Sequence, residues 1–161
     1  MKTDDKKQRT ANYSRLQQVA DKPSVYLGYT AIDYNNTATH QIAKQSWETI
    51  QGLQHQRRTN AILEMKEAVA QGKVLTDLQE IYQASIDGRG ELLIVHQDFS
   101  QAVLIKDERT FDIIDDATTP NAIDDITSNI AWEVISKKGK VFFTTQDELK
   151  DLGKIVLKTR Y

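Results

Sequence analysis

Three histidines, His40, His55 and His96, are the first residues to test for acid–base or metal chemistry, and they share no ligand spacing. They read as surface and boundary residues, with His96, at the end of an apolar run, the one to follow. Carboxylates gather at Asp112, Asp115, Asp116, Asp124 and Asp125. Hard divalent cations take several such oxygens, so the turn Asp112–Asp125 is the candidate cation site. Its spacing does not fit the calcium-loop template. Its last members also fall near a helix start, where negative charge gains from the helix dipole. A solvated acidic turn is therefore the expectation. Gly88-Arg89-Gly90-Glu91 lies between a helix and a strand, the reverse of the strand–glycine–helix order that cradles phosphate. Its glycines read as helix-stop and turn residues. No serine or threonine sits in a nucleophile elbow or a Ser-x-x-Lys pattern. The chain has no cysteine, which removes disulfides, thiolate metal sites and thiol nucleophiles. With no nucleophile, base and orienting group in one pattern, neither an enzyme nor a cofactor is expected.

Binding is the remaining class. Arg57 and Arg58, with His55 and Lys66, form a modest basic face that Glu64 and Glu67 dilute. Arg89 and Arg160 are two further cations able to contact a partner or RNA. The net charge is −2 with a pI near 5.9, and positives are mixed with negatives along the chain. Proteins that hold nucleic acid mainly through phosphates carry a basic excess or a one-sided basic patch, so composition favours a protein partner over RNA. Residues Met1 to Ala11 are charged and lack the apolar stretch of a secretory signal. No apolar run has the length of a membrane span, so no membrane partner is expected. The cytoplasm is the expected compartment.

The elements that would position these groups follow from periodicity. A weakly amphipathic helix is expected over residues 9–21, stopped by Pro23, then a short strand over 25–30 and a polar loop through Asn35-Asn36-Thr37. A long helical region spans about 39–71, with Ile42, Trp47, Ile50, Leu53, Ala61, Met65 and Ala68/Val69 at helical spacing. Its stripe thins between Gln54 and Asn60, which predicts a loop or exposed turn there and a bend near Gly52. Thr76-x-x-Gln79 is a capping-box pattern, and Gly88 suits the left-handed position after the helix it opens. Leu92-Leu93-Ile94-Val95 is an unbroken apolar run, as in a strand buried on both faces. Strands at 102–105 and 111–113 follow. A helix capped at Thr119 or Asn121, with Pro120 in its first turn, carries a core stripe of Ile123, Ile126, Ile130/Ala131 and Val134/Ile135 and ends at Gly139. Lys137 and Lys138 complement the dipole at its end. Strand 141–144, a helical turn at 147–152 and a final strand 154–160 complete the chain. Trp47 and Trp132 fall on apolar stripes and are expected in the core.

The order from Thr76 onward specifies an α/β layer structure, a mixed sheet covered by helices. Residues 61–161 read as this C-terminal α/β domain. Residues 1–60 read as an N-terminal helix–strand–helix extension, incomplete because one strand cannot form a sheet.

One set of strings is more specific. Ala68-Val69-Ala70-Gln71-Gly72-Lys73 leads into the helix–strand segment Asp77 to Val95, with Gly88-Arg89-Gly90 between its two elements. Asp124-Asp125-Ile126 and Lys138-Gly139-Lys140-Val141-Phe142-Phe143 follow, and the chain ends Leu152-Gly153-Lys154-Ile155-Val156-Leu157-Lys158-Thr159-Arg160-Tyr161. Together they resemble the C-terminal region of the bacterial relatives of archaeal and eukaryotic peptide-chain release factors. The match is best from Ala61 to Tyr161. Residues 25–47 look like the end of that family's middle domain. The resemblance implies a fold like the third domain of release factors, itself similar to kink-turn-binding ribosomal proteins. It also implies docking of protein partners on the ribosome. The Gly-Gly-Gln tripeptide that triggers peptidyl-tRNA hydrolysis occurs nowhere in the 161 residues, and the codon-reading domain has no counterpart. No hydrolytic role carries over. The leading expectation is a translation-associated, non-catalytic binding module. A structured-RNA-binding module aided by Arg57, Arg58, Arg89 and Arg160, and a homodimerisation domain, stand as alternatives. A metal-dependent hydrolase at the aspartates is a distant fourth.

Overall fold

The structure, a computed structural model, describes residues 32–33, 35–115, 118–145 and 147–161. The helix expected at 9–21 and the strand at 25–30 lie outside the described residues. The chain divides into two compact units, Met1–Arg57 and Arg58–Tyr161.

In the first unit, Asp33 closes a local turn. Its carboxylate accepts from the Asn35 amide at 3.1 Å and from Asn36 Nδ2 at 2.9 Å, the local bonding that makes Asp a turn residue. Helix α1 spans Thr39–Ala70. The loop or exposed turn expected at 54–60 is therefore corrected to helix. Gln, His, Arg, Thr and Asn in that stretch are polar but helix-compatible, so a thinning apolar stripe marks exposure, not an end. Trp47 is also corrected, since it is more than half exposed.

The second unit is built on a four-stranded sheet. Its strands are β1 (Val74–Leu75), β2 (Gly90–His96), β6 (Lys140–Thr144) and β7 (Ile155–Thr159), in the order β1-β7-β2-β6. β2 and β6 run parallel while the other pairs are antiparallel, so the sheet is mixed. β2 is central, and its side chains alternate between two cores. Leu93 and Val95 join Leu157 and Ile155 under α2 (Leu78–Ile86) and α3 (Ile126–Ser136). Leu92 and Ile94 join Val156 beneath Ala61, Ile62 and Met65 of α1, with Leu149 from a 3-10 turn at Asp147–Leu152. Burial on both faces explains the unbroken apolar run.

The expected single sheet is corrected to two. β3 (Val103–Ile105), β4 (Phe111–Ile113) and β5 (Ala122–Ile123) form a separate antiparallel sheet ordered β4-β3-β5. Its Val103 and Phe111 reach the α2/α3 core, where the Phe111 ring meets Tyr82 edge-on with centroids 5.4 Å apart.

The helix caps also differ from expectation. Asp77, not Thr76, caps α2, its carboxylate accepting from the Glu80 amide at 3.0 Å. Asp125, not Thr119 or Asn121, caps α3. Its Oδ1 accepts from the Thr127 amide at 3.0 Å and its Oδ2 from Ser128 Oγ at 2.7 Å. Asn121 instead turns the chain with φ 64°, and Ile123 pairs with Val103 in β5, which removes both from the helix. At the far end of α3 the left-handed residue is Lys138 (φ 67°), not Gly139. Gly139 is needed for space. A Cβ there would meet Val134 Cγ1 at 2.5 Å and the Gly90 carbonyl at 2.9 Å. Gly88 does take the left-handed position expected of it, with φ 72°.

No helix among the described residues is long and apolar enough to cross a membrane.

Candidate partner-binding surfaces

The four arginines singled out as contacts separate in the structure. Arg57 is exposed and Arg58 half-buried on α1, and they fall in different units. Arg89 and Arg160 are brought together where β2 begins and β7 ends. The Arg160 amide donates to the Arg89 carbonyl at 3.0 Å.

This end of the sheet is where α2 and α3 both finish, so it is lined by helix carbonyls that lack intrahelical partners. Backbone amides of the following turns take most of them, Gly88 for Ser85 and Gly139 for Val134, and cations add further bonds. Arg160 donates through Nε to the Gly90 carbonyl at 3.3 Å and through its terminal nitrogen to the Lys137 carbonyl at the end of α3. Lys137 Nζ donates to the Ser85 carbonyl of α2 at 3.1 Å and pairs with Glu133 one turn back. Lys137 thus ties the end of α2 to α3, a role beyond the dipole effect expected of it. Arg89 lies 3.7 Å from Asp87, which is itself gripped by both terminal nitrogens of Arg109 at 2.9 Å. The Arg109 hydrogen bonds hold the Asp87 carboxyl below its ordinary range, and Asp87 in turn raises the Arg109 guanidinium. Gln79 and Gln83 of α2 donate to the Arg109 carbonyl, so the β3–β4 turn is pinned along that helix. Arg160 is thus held by carbonyls and Arg89 faces a carboxylate, an arrangement suited to fixing helix ends.

A second charged group lies on the α1 side. Lys158 Nζ is 2.8 Å from Glu64 of α1 and 3.1 Å from Glu91 of β2, while Lys140 lies 3.7 Å from the other Glu64 oxygen. The Lys158 hydrogen bond lowers the Glu64 pKa and the Glu64 bond raises that of Lys158. This clasp fastens α1 to the sheet.

The acidic turn is dispersed. Asp112 pairs with Lys106 at 2.6 Å, Asp115 and Asp124 are exposed, Asp125 serves as a cap, and Asp116 lies outside the described residues. Partial burial pushes the Asp125 carboxyl up, but bonds from Thr127, Ser128 and the Gln101 backbone outweigh it and leave its pKa lowered. Among the described residues no three His, Asp or Glu side chains stand close enough to hold a metal ion. His40 and His55 are exposed on α1, and His96 Nδ1 accepts from the Asp98 amide at 3.3 Å.

One surface escaped the sequence reading. Trp132 and Ile135, expected in the core, are 69% and 53% exposed on α3. The buried stripe is Ile126, Ile130 and Val134. Trp132 lies two residues past Ile130, roughly 200° around the helix. Packing of the Ile126, Ile130 and Val134 stripe against the sheet therefore turns Trp132 toward water.

The family model for bacterial archaeo-eukaryotic release factor family 3 matches residues 9–89. The chain belongs to this family. The family match and the resemblance read from Ala61 onward overlap across α2. The fold is shared with solved structures, among them the following two. The C-terminal domain of a peptide chain release factor from Methanosarcina mazei is 15% identical, with a TM-score of 0.57, and the alignment covers 82% of this chain and 98% of that domain. A chain of the model of ribosome-bound archaeal Pelota and ABCE1 is 18% identical, with a TM-score of 0.53, over 83% of this chain. This family member spans only 34% of that chain's length. No curated protein matches.

Proposed function

We propose that this release factor family member is a non-catalytic docking module of the cytoplasmic translation machinery, with a ribosomal or translation-factor protein as its partner. The observation that carries the reading is family membership joined to a C-terminal unit of the release factor third-domain type. The ribosome-bound state of the archaeal Pelota structure points the same way. The chemistry of the described side chains supports it. The clustered charges cap helix ends, clasp α1 or pin a turn, and the hydroxyls of Thr127 and Ser128 that bond a carboxylate serve the α3 cap at Asp125. The Gly-Gly-Gln tripeptide of peptidyl-tRNA hydrolysis is missing from the sequence. RNA binding is the weaker reading, because Arg160 is engaged by carbonyls and Arg89 by Asp87.

Co-sedimentation of the tagged full chain with ribosomes, at low salt and after a modest salt wash, tests the proposal. Sedimentation with ribosomes that weakens with salt is the expected result. Its absence at low salt overturns the translation reading. Parallel capture from lysate with and without RNase separates protein docking, which survives the nuclease, from RNA binding, which does not.

A further inference from the structure

Helix α2 has to stop just before β2 begins, and its stop places a reactive dipeptide at the junction. Asp87 ends the helix with φ −71° and ψ −5°, and Gly88 follows in the left-handed region with φ 72°. A side chain at Gly88 would be strained there and would also meet Lys137 Cδ at 3.3 Å, so the position calls for glycine. Glycine after aspartate has a chemical consequence. The unhindered Gly88 nitrogen can attack the side-chain carboxyl carbon of Asp87. That attack closes a five-membered succinimide with loss of water. Water then reopens the ring at either carbonyl, giving back aspartate or giving isoaspartate. Asp87-Gly88 is the one place in the 161 residues where Asp or Asn precedes Gly.

In the fold each reacting group is held elsewhere. The two Asp87 carboxylate oxygens accept from the two terminal nitrogens of Arg109, each at 2.9 Å, and Arg89 Nε stands 3.7 Å from Oδ2. The Gly88 amide donates to the Ser85 carbonyl at 3.1 Å, and the Arg89 amide to the Ala84 carbonyl at 2.9 Å. Ring closure needs the Gly88 nitrogen eclipsed with the Asp87 β-carbon about the Cα–C bond, a rotation far from the helical ψ of −5°. It also needs the neutral carboxyl, because water leaves from the acid and not from the carboxylate. The Arg109 hydrogen bonds lower the pKa of that carboxyl and so keep it charged. Arg109 is itself fixed. Its carbonyl accepts from Gln79 and Gln83 of α2 at 2.7 and 3.3 Å, and its amide donates to Asp107 at 2.8 Å.

We propose that Asp87-Gly88 is a latent isoaspartate site, and that the two-pronged grip of Arg109, carried on the β3–β4 turn, keeps it from isomerising while the fold is intact. The reaction takes no co-reactant but water. An isoaspartate would add one carbon to the main chain between α2 and β2. It would thereby displace Arg89, whose carbonyl accepts from the Arg160 amide at 3.0 Å where β2 and β7 meet. The docking-module reading neither requires nor supplies this chemistry.

The test is incubation of the full chain in mildly acidic buffer at physiological temperature. Isoaspartate at position 87 is read by separating and fragmenting the isomeric digest peptides. The folded wild type should form it about tenfold or more slowly than the same chain unfolded in guanidinium, since local opening must come first. Arg109→Gln should raise the folded rate about fivefold, the upper scale for a two-pronged exposed ion pair. Because Arg109 is half exposed, its replacement leaves the core intact, and an unchanged near-UV spectrum verifies this. Asp87→Glu should abolish the product, since its larger ring closes far more slowly. Ile62→Ala, which weakens the fold from the opposite face of the sheet, should leave the site protected. A wild-type rate equal to the unfolded one, or an Arg109→Gln rate equal to wild type, overturns the proposal. So does an equal rise in Ile62→Ala at a matched loss of Tm, which would make global folding the guard and not Arg109.

Discussion

The two faces of the main sheet are closed by different means. On the α2/α3 face, Leu93, Val95, Ile155 and Leu157 meet residues from two helices and from the second sheet. On the α1 face, Leu92, Ile94 and Val156 are covered by Ala61, Ile62 and Met65 of one helix, with Leu149 beside them. The narrower face adds the Lys158–Glu64–Glu91 clasp along its margin. A lysine stem can cover apolar surface while its head stays paired near water. One face thus depends on apolar burial by two helices, and the other combines a single stripe with charge.

Predictions follow from that contrast, from the largest effect to the smallest. Truncating Ile130 to Ala beneath α3 should cost about 2–5 kcal/mol, because the side chain is fully buried and its neighbours are held by two other elements. Denaturant titration reads this as a lower midpoint. Truncating Ile62 to Ala on the other face also falls in the range for buried apolar residues, but a single covering helix can settle toward the gap, so the cost should lie nearer the low end, about 2 kcal/mol. Equal losses would erase the proposed difference between the faces.

Gly139→Ala should destabilise by about 1–3 kcal/mol, since the added methyl meets backbone oxygen as well as Val134, and backbone cannot swing aside. Gly52→Ala, with open space around it on α1, should instead gain about 0.5–1 kcal/mol. Thermal denaturation of the pair separates loss of a close approach from removal of a flexible residue. Asp125→Ala should cost about 1 kcal/mol through loss of the α3 cap, and Thr76→Ala next to nothing. A larger loss at Thr76 would return the cap of α2 to the residue first expected.

The clasp should give the smallest effect, about 1 kcal/mol or less for Lys158→Met, because both partner carboxylates keep contact with water. Its pH dependence is the sharper test. Glu64 is lowered from 4.5, so its contribution is complete above that value and is lost as pH falls through its folded pKa. Lys158 is raised from 10.5, so its contribution is complete below that value and is lost as pH rises through its folded pKa. The Tm gap between wild type and Lys158→Met should therefore be widest near neutral pH and close in acid. A gap that persists in acid would assign the loss to packing by the lysine stem.

Much of the fold was legible along the chain because its signals are local. The run at 92–95 announces a strand buried on both faces, and Gly88 announces a left-handed stop. Polar stretches misled wherever exposure and disorder of the helix look alike, as between Gln54 and Asn60. Caps misled because several oxygens compete within a few residues, and Asp125 prevails over Asn121 once Ile123 is drawn into β5 beside Val103. The candidate site was less legible than the fold. Arg89 and Arg160 are 71 positions apart and meet only because β2 and β7 are antiparallel neighbours.

The sequence by itself determined the mixed α/β class, the central strand and the family likeness, since composition, period and short strings carry these without reference to distant residues. Tertiary structure decided the division into two sheets, the use of cations as caps and the placement of Trp132 outside the core. Each depends on which elements become neighbours. A side chain's period states which side of its helix it occupies, and only packing states whether that side meets protein or water.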